Sequence, residues 1–158
     1  LPMRTSVGLI AALLLALGCG SVASAPPELA ATALSFTPSP GKARIYVYRP
    51  SRFVGSASRL KVAIDSQFVG KTGSGTFLMV ELDPGSHRIS GLSSESDRGV
   101  DLEALPDSCY FFKLWPKMGF VSAQSGIELM DPVEGRRAIQ SARMVPATWP
   151  GEPITPNP

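Results

Sequence analysis

The chain has 158 residues and an apolar fraction of 44%, enough to bury the core of one domain with little length left for a second. Its 15 basic and 13 acidic side chains leave a formal net charge of +2, which excludes a protein held to nucleic acid mainly by phosphate neutralisation. One His and two Cys offer little material for a metal site or a disulfide framework, so we expect no metal and no cofactor.

The first predicted element is a leader peptide. Arg4 supplies a positive charge ahead of an unbroken run of eleven apolar or small residues, Val7 to Leu17. A membrane-spanning helix needs about 20 apolar residues, whereas a run of this length is typical of a signal peptide. We therefore predict that residues 1–18 are a signal peptide and that the protein is exported.

The leader carries two alternative cleavage sites. Residues 15–19 (LALGC) resemble the lipobox of bacterial lipoproteins, which implies cleavage before Cys19 and acylation of this residue, palmitate included. Several acyl chains would anchor the protein durably, and Gly20 in place of Asp implies the outer membrane, on its periplasmic side. The alternative is an ordinary signal-peptidase site at residues 23–25 (ASA), which would release a soluble protein beginning at Pro26. We favour the lipoprotein.

Composition divides the rest of the chain into three parts. Residues 19–40 are rich in Ala, Ser, Thr and Pro without sustained periodicity, and they predict a flexible tether after the lipidated Cys. Residues 146–158 contain five prolines, which interrupt helices and central strands, and they predict a disordered tail. Residues 41–145 between them form the predicted domain.

Within residues 41–145 the dominant hydrophobic period is two, as in half-buried strands. Only residues 132–145 place apolar side chains at helical spacing. Many short strands separated by turns predict an all-β fold, a single antiparallel β-sandwich of immunoglobulin-like type with one short C-terminal helix. The predicted strands are residues 43–49, 60–65, 68–71, 76–82, 86–92, 100–105, 109–115 and 120–129.

Residues 70–76 (GKTGSGT) contain the Gly-Lys-Thr of phosphate-binding loops. A P-loop needs a Gly five residues before the Gly-Lys pair, where this chain has Asp65, and it must open a helix. Because a strand pattern follows instead, we predict a flexible hairpin loop and no nucleotide site. A second turn is predicted at residues 83–85 (DPG), where Pro presets φ and Gly supplies a positive φ.

Two segments carry a family resemblance. Residues 61–71 (KVAIDSQFVGK) and 82–89 (LDPGSHRI) resemble the paired hairpins of PEGA-type repeats, with Ser66 in place of the usual turn Gly. Together with residues 41–49 (GKARIYVYR), residues 109–113 (CYFFK) and the lipobox, they resemble the domain of unknown function family 2846, over residues 41–145. The resemblance implies a β-sandwich and an exported location, and it implies no chemistry.

Charge is unevenly distributed along the sequence. Residues 42–61 carry six basic and no acidic side chains, whereas residues 95–107 carry five acidic side chains against one Arg. We favour solvated strand faces as the explanation. The functional alternative is a face that binds lipid headgroups or another anionic polymer, and the residues that would make those contacts are Arg49, Arg52, Arg59 and Lys61.

The remaining candidate residues do not form a catalytic pattern, and we expect no enzyme. His87 is the sole His, and the sequence offers neither a second metal ligand at a suitable spacing nor a nucleophilic Ser in a G-x-S-x-G turn. We therefore predict that His87 is a packed or hydrogen-bonded structural side chain. Cys109 precedes three aromatic residues in a predicted strand, which favours a buried apolar role. Core packing is favoured over a binding face for Tyr46, Tyr48, Phe111 and Trp115.

These patterns together predict a non-enzymatic, lipid-anchored protein of the cell envelope. Its β-sandwich is expected to bind an envelope protein or a polysaccharide, and not nucleic acid. The alternative is a soluble periplasmic or secreted module that binds a small ligand or a carbohydrate.

Overall fold

The computed structural model describes residues 22–52, 57–92, 97–118 and 123–154. The predicted signal peptide and Cys19 lie outside these residues. The elements in chain order are α1 (Pro27–Leu34), β1 (Ala43–Arg49), β2 (Leu60–Ile64), β3 (Gln67–Thr72), β4 (Thr76–Leu82), β5 (Gly85–Leu92), β6 (Asp97–Ala104), β7 (Cys109–Met118), β8 (Ala123–Leu129), α2 (Pro132–Gln140), β9 (Arg143–Met144) and β10 (Ala147–Pro153).

The strands form two five-stranded sheets, and the predicted all-β sandwich is confirmed. Sheet A has the strand order β8-β7-β1-β4-β9, and sheet B has the order β10-β3-β2-β5-β6. Two pairings in sheet A, β1 with β7 and β4 with β9, are parallel; the pairings in sheet B are antiparallel. The sandwich is therefore mixed rather than purely antiparallel, since sequence periodicity does not reveal which distant strands become neighbours.

The main core lies between the two sheets. The alternating apolar residues of the sequence supply it, including Val62 and Ile64 from sheet B and Leu78 and Leu82 from sheet A, all fully buried. Burial of one such side chain is worth about 1.5–3 kcal/mol. The period-two pattern thus identifies the inner faces of both sheets correctly.

A second core covers the outer face of sheet A beneath the two helices. Tyr46, Phe77 and Phe111 project to this side and pack with Ala33 of α1 and Ile139 of α2. Because β1 is central in its sheet and buried on both faces, its sequence is a nearly continuous run of β-branched and aromatic residues instead of a clean alternation.

The predicted C-terminal helix is present as α2, although it is shorter than residues 132–145. The Asp131 carboxylate caps it by accepting hydrogen bonds from the backbone N–H groups of Val133 (2.9 Å) and Glu134 (3.2 Å). A Cβ at Gly135 would lie 2.4 Å from the side chain of Phe111, so the absence of a side chain there lets α2 pack closely on sheet A.

The predicted tether is wrong for the part of it that the structure describes. The backbone N–H of Ala25 donates to Met144 O at 3.0 Å, and the buried Ala33 of α1 accepts a hydrogen bond from the Tyr46 hydroxyl at 2.5 Å. The helix escapes sequence patterning because it has eight residues and packs mainly through small Ala side chains. Pro27 at its first position stabilises the start of the helix, whereas the composition suggested a linker.

The predicted disordered tail is wrong for residues 147–153. They form β10, which pairs with β3 and contains a cis peptide bond between Trp149 and Pro150. Prolines are tolerated there because β10 is an edge strand with an irregular register. The backbone N–H of Ile154 donates to Ser66 O at 2.9 Å, and residues 155–158 lie outside the described residues.

Two loops differ in how well they were predicted. Asp65 (φ 49°) and Ser66 (φ 61°) both have positive φ, so the β2–β3 hairpin keeps a turn of type I′ character although neither residue is Gly. Residues 73–75 were predicted to close a hairpin, which is wrong, because β3 belongs to sheet B and β4 to sheet A. This loop instead carries the chain from one sheet to the other.

Candidate functional site: the basic end of the sandwich

The connections between elements gather at two opposite ends of the sandwich. At one end Arg49 pairs with Thr76, Thr76 pairs with Arg143, and Leu60 pairs with Thr72. The described connections there hold two Arg and no Asp or Glu, Arg143 begins β9 beside them, and β6 begins nearby at an acidic residue, Asp97. We call this the basic end: residues 22–24, 50–52, 57–59, 73–75 and 141–143.

The opposite end is acidic. Its described connections hold four Asp and a single Lys, Lys42. The Lys42 ammonium group donates a hydrogen bond to the exposed Asp83 carboxylate at 2.6 Å. This hydrogen bond and the positive charge of Lys42 lower the pKa of Asp83. Among the described connections, the charge at this end is therefore opposite to the charge at the basic end. We call this the acidic end: residues 39–42, 65–66, 83–84, 105–108 and 130–131.

Arg49 was one of the contacts named for the alternative of an anionic-surface face, and its burial excludes it from such a surface. Its side chain is only 2% exposed, and it donates hydrogen bonds to Ser58 O at 2.6 Å and to Thr72 O at 3.5 Å. Burial lowers the pKa of Arg49. Its role is to hold the connection before β2 against the end of β3, beneath the surface that the other basic residues form.

The three other predicted residues are exposed at or beside the basic end. The Arg52 backbone exchanges hydrogen bonds with the Ser74 hydroxyl at 3.1 and 3.3 Å, which positions this Arg next to the connection between the sheets. Arg59 precedes β2, and Lys61 lies directly opposite Lys71 on β3. Like charges that face each other across two strands are destabilising unless an anion separates or screens them.

Two basic residues of this surface were missed by sequence reasoning. Lys71 was assigned to the predicted strand 68–71 and to the Gly-Lys-Thr pattern, and Arg143 was assigned to the predicted helix. Arg143 donates to the Ser24 hydroxyl at 2.6 Å, and its backbone N–H donates to Gly75 O at 3.1 Å. No local pattern would have found this contact, because 119 positions separate Arg143 from Ser24.

The start of the described chain is fixed to the basic end. Val22 packs against the main core, and its side chain lies 3.3 Å from the position of a Cβ on Gly73. Ala25 is buried and hydrogen-bonded to β9. The first described residue, Val22, is therefore held at the basic end.

His87 is the hydrogen-bonded structural residue that the sequence predicted, at the acidic end. Its Nδ1 lies 2.6 Å from Asp65 Oδ2, and its Nε2 lies 2.8 Å from Asp83 O. Burial lowers the pKa of His87, but these hydrogen bonds and the charges of Asp65 and Asp83 raise it by more in sum, and the net pKa is raised. With both ring nitrogens engaged, the imidazole ties the β2–β3 turn to the turn before β5.

Cys109 is half-buried rather than fully buried. Its Sγ donates to Phe36 O at 3.3 Å, and burial raises the pKa of its thiol. A raised pKa lowers the thiolate fraction, which is the nucleophilic form. Of the four aromatic residues predicted to pack in the core, Tyr46 and Phe111 are buried, Tyr48 packs on the edge of the second core, and Trp115 belongs to neither core.

Across the described ranges, no helix has the length and apolarity needed to cross a membrane. In the same part of the chain, no three His, Cys, Asp or Glu side chains come together as a candidate metal site.

The chain belongs to a family of unknown function. The family model described as "Protein of unknown function (DUF2846)" matches residues 39–127, which covers more than half of the chain and most of both sheets. The chain is also similar to an uncharacterized protein of Haemophilus influenzae, with 29% identity over 137 residues, 86% of this chain and 81% of that protein. The predicted family is therefore confirmed, and its likeness to PEGA-type repeats stays a prediction.

Proposed function

We propose that the protein is a lipid-anchored component of the bacterial cell envelope, acylated at Cys19 in the outer membrane. The basic end of its sandwich rests on anionic headgroups, and the sandwich is a non-catalytic module that binds an envelope protein or a polysaccharide. The observation that carries the proposal is that the described N-terminal segment and the exposed basic residues meet at one end of the domain.

The distance between the anchor and the domain supports this arrangement. Gly20 and Ser21 alone separate Cys19 from Val22, and an extended chain spans at most about 3.6 Å per residue. The three steps from Cys19 to Val22 therefore cover at most about 11 Å. An acylated Cys19 would hold the domain against the bilayer instead of suspending it on a long tether.

The charges around this attachment point favour an anionic surface. Each Lys or Arg near an anionic membrane contributes about 1 kcal/mol. Five exposed residues would together contribute a few kcal/mol, less at physiological salt because screening acts over about 8 Å. The five residues are Arg52, Arg59, Lys61, Lys71 and Arg143.

Cleavage after Ala25, the alternative, is less compatible with the fold. It would remove Val22 from the core, the Ala25 N–H bond to Met144, and the Ser24 partner of Arg143. A chain beginning at Pro26 would lose these contacts before α1 begins.

Hydrogen exchange of the protein on vesicles tests whether the basic end contacts anionic headgroups. The mature protein, purified from its native cells, is reconstituted into vesicles of zwitterionic lipid alone and into vesicles that also contain anionic lipid. We expect the amides of residues 73–75 and 141–143 to exchange more slowly in the anionic vesicles, and the difference to vanish at high salt.

Two charge reversals serve as a matched pair in this assay. Lys71→Glu beside the basic end should weaken the protection, and Lys42→Glu at the acidic end should leave it unchanged. Equal exchange in both vesicle types would contradict the contact between the basic end and anionic headgroups. A chain that fails to associate with either vesicle would contradict the lipid anchor, so the two parts of the proposal are tested separately.

A further inference from the structure

A cleft opens where the edges of the two sheets meet, between β6 of sheet B and β8 of sheet A. Its volume is about 460 Å³, within the range of small-molecule sites. Trp115 lies on its sheet A wall and Arg88 on its sheet B wall. The lining residues are Arg88, Gly99, Trp115, Lys117, Gly126, Ile127 and Glu128.

A glycine in each wall leaves room for a planar side-chain group, the Trp115 indole on one side and the Arg88 guanidinium on the other. Gly126 pairs with Trp115 across β7 and β8, and a Cβ on it would lie 2.3 Å from the indole ring. A Cβ on Gly99 would lie 2.8 Å from Nε of Arg88. The indole and the guanidinium group can thus lie close to the backbone and leave the space between the walls open.

Positive charge surrounds the indole. Lys113 Nζ and Lys117 Nζ lie 5.6 and 5.9 Å from the ring centroid, within the range of cation–π attraction. Lys113 is paired with Glu128 at 3.2 Å and Arg88 with Asp101 at 2.7 Å. Within the described residues, no carboxylate lies within 4 Å of the exposed Lys117 ammonium group, which leaves a net positive charge at the cleft.

We propose that this cleft binds a saccharide that carries a carboxylate or a phosphate. A sugar ring presents apolar C–H groups on one face, which suit the half-buried indole, and hydroxyl groups at its edge, which suit Arg88 and Glu128. The anionic substituent pairs with Lys117. The inference deepens the polysaccharide partner of the proposed function, since the surface polymers of an envelope supply such sugars.

Tryptophan fluorescence of the full chain tests the inference in neutral detergent, where seating on anionic lipid plays no part. The chain has two Trp, so a Trp149→Phe background isolates the signal of Trp115. The probes are trigalacturonate and glucose 6-phosphate, with maltotriose and glucose as their neutral counterparts. We expect saturable changes with the anionic probes, and the better of the two identifies carboxylate or phosphate as the preferred group.

Variants of two exposed lysines separate cleft binding from general charge effects. Lys117→Met should raise the Kd for the anionic probe about tenfold, the loss expected for one charge-assisted hydrogen bond. Lys42→Met at the acidic end should leave the Kd unchanged. Absence of a saturable signal, equal affinity for the neutral sugars, or an unchanged Kd in Lys117→Met would each overturn the inference while leaving the membrane anchor untouched.

Discussion

The Tyr46 hydroxyl hydrogen-bonds the N-terminal segment to sheet A, and the free energy of unfolding lost on its removal can be calculated. It donates to Ala33 O at 2.5 Å, and both residues are completely buried. Tyr46→Phe keeps the ring that stacks on Phe111 with centroids 4.9 Å apart, so the substitution deletes this hydrogen bond and the interaction of the hydroxyl with Arg44 but little packing.

The expected loss of stability is about 1–1.5 kcal/mol. A buried carbonyl left without a partner costs about 1–3 kcal/mol, but Phe36 N–H still lies 3.3 Å from Ala33 O and satisfies it in part. With an m-value of about 2 kcal/mol/M, the urea midpoint should fall by roughly 0.5–0.75 M. The amides of α1 should also exchange faster than those of the main core.

Urea titration and hydrogen exchange of the full chain measure both effects. Tyr48→Phe is the control, because this neighbouring side chain is half-buried and keeps its ring in the substitution. Unchanged stability together with unchanged exchange in α1 would refute the docking of the N-terminal segment, and with it the short distance between Cys19 and the sandwich.

Three further predictions concern single side chains. Gly126→Ala places a Cβ where the Trp115 ring lies, so we expect a shifted Trp emission spectrum and a loss of about 1–3 kcal/mol in urea unfolding; an unshifted spectrum would argue against the ring position. Because the folded-state pKa of His87 is raised, its stabilisation is complete below the unfolded value of about 6.5 and is lost as the pH rises through the folded pKa. The urea midpoint should therefore fall more between pH 6 and pH 8.5 in the native chain than in His87→Gln, and parallel curves would disprove this coupling. The raised pKa of Cys109 predicts that iodoacetamide alkylates it slowly until urea unfolds the chain, whereas rapid alkylation of the folded protein would show an accessible thiolate.

The correctly predicted elements are those whose burial is reflected in the local periodicity of apolar residues. Leu78, Val80 and Leu82 alternate with residues of the other face because β4 contributes inner residues to the main core. Asp131 and Pro132 begin α2 with a side-chain cap and a favourable first residue, signals that act within one turn. These parts of the fold needed no knowledge of distant contacts.

The errors arose where a distant contact decides the structure. The short α1 is stable only against sheet A, where Tyr46 and Arg44 bond its last carbonyl groups. The proline-containing β10 is ordered because β3 provides its partner. Composition indicates a linker in both places, since it carries no information about the sheet surface or strand that distant residues provide as a packing partner.

The candidate site was predicted in part for the same reason. Arg52, Arg59 and Lys61 share one basic stretch of sequence, so its charge pattern identified them. Arg49 belongs to the same stretch, but the end of β1 places it under the surface. Lys71 and Arg143 join the site only through the strand register, which unites segments that composition treats separately.

The central claim is that an acylated Cys19 holds the basic end of the sandwich at the membrane. Mass spectrometry of the N-terminal peptide of the mature protein, purified from its native cells, tests it most directly. We predict that the mature chain begins at Cys19 and carries acyl groups on this residue. A mature chain that begins at Pro26 with a free amino terminus would contradict the claim.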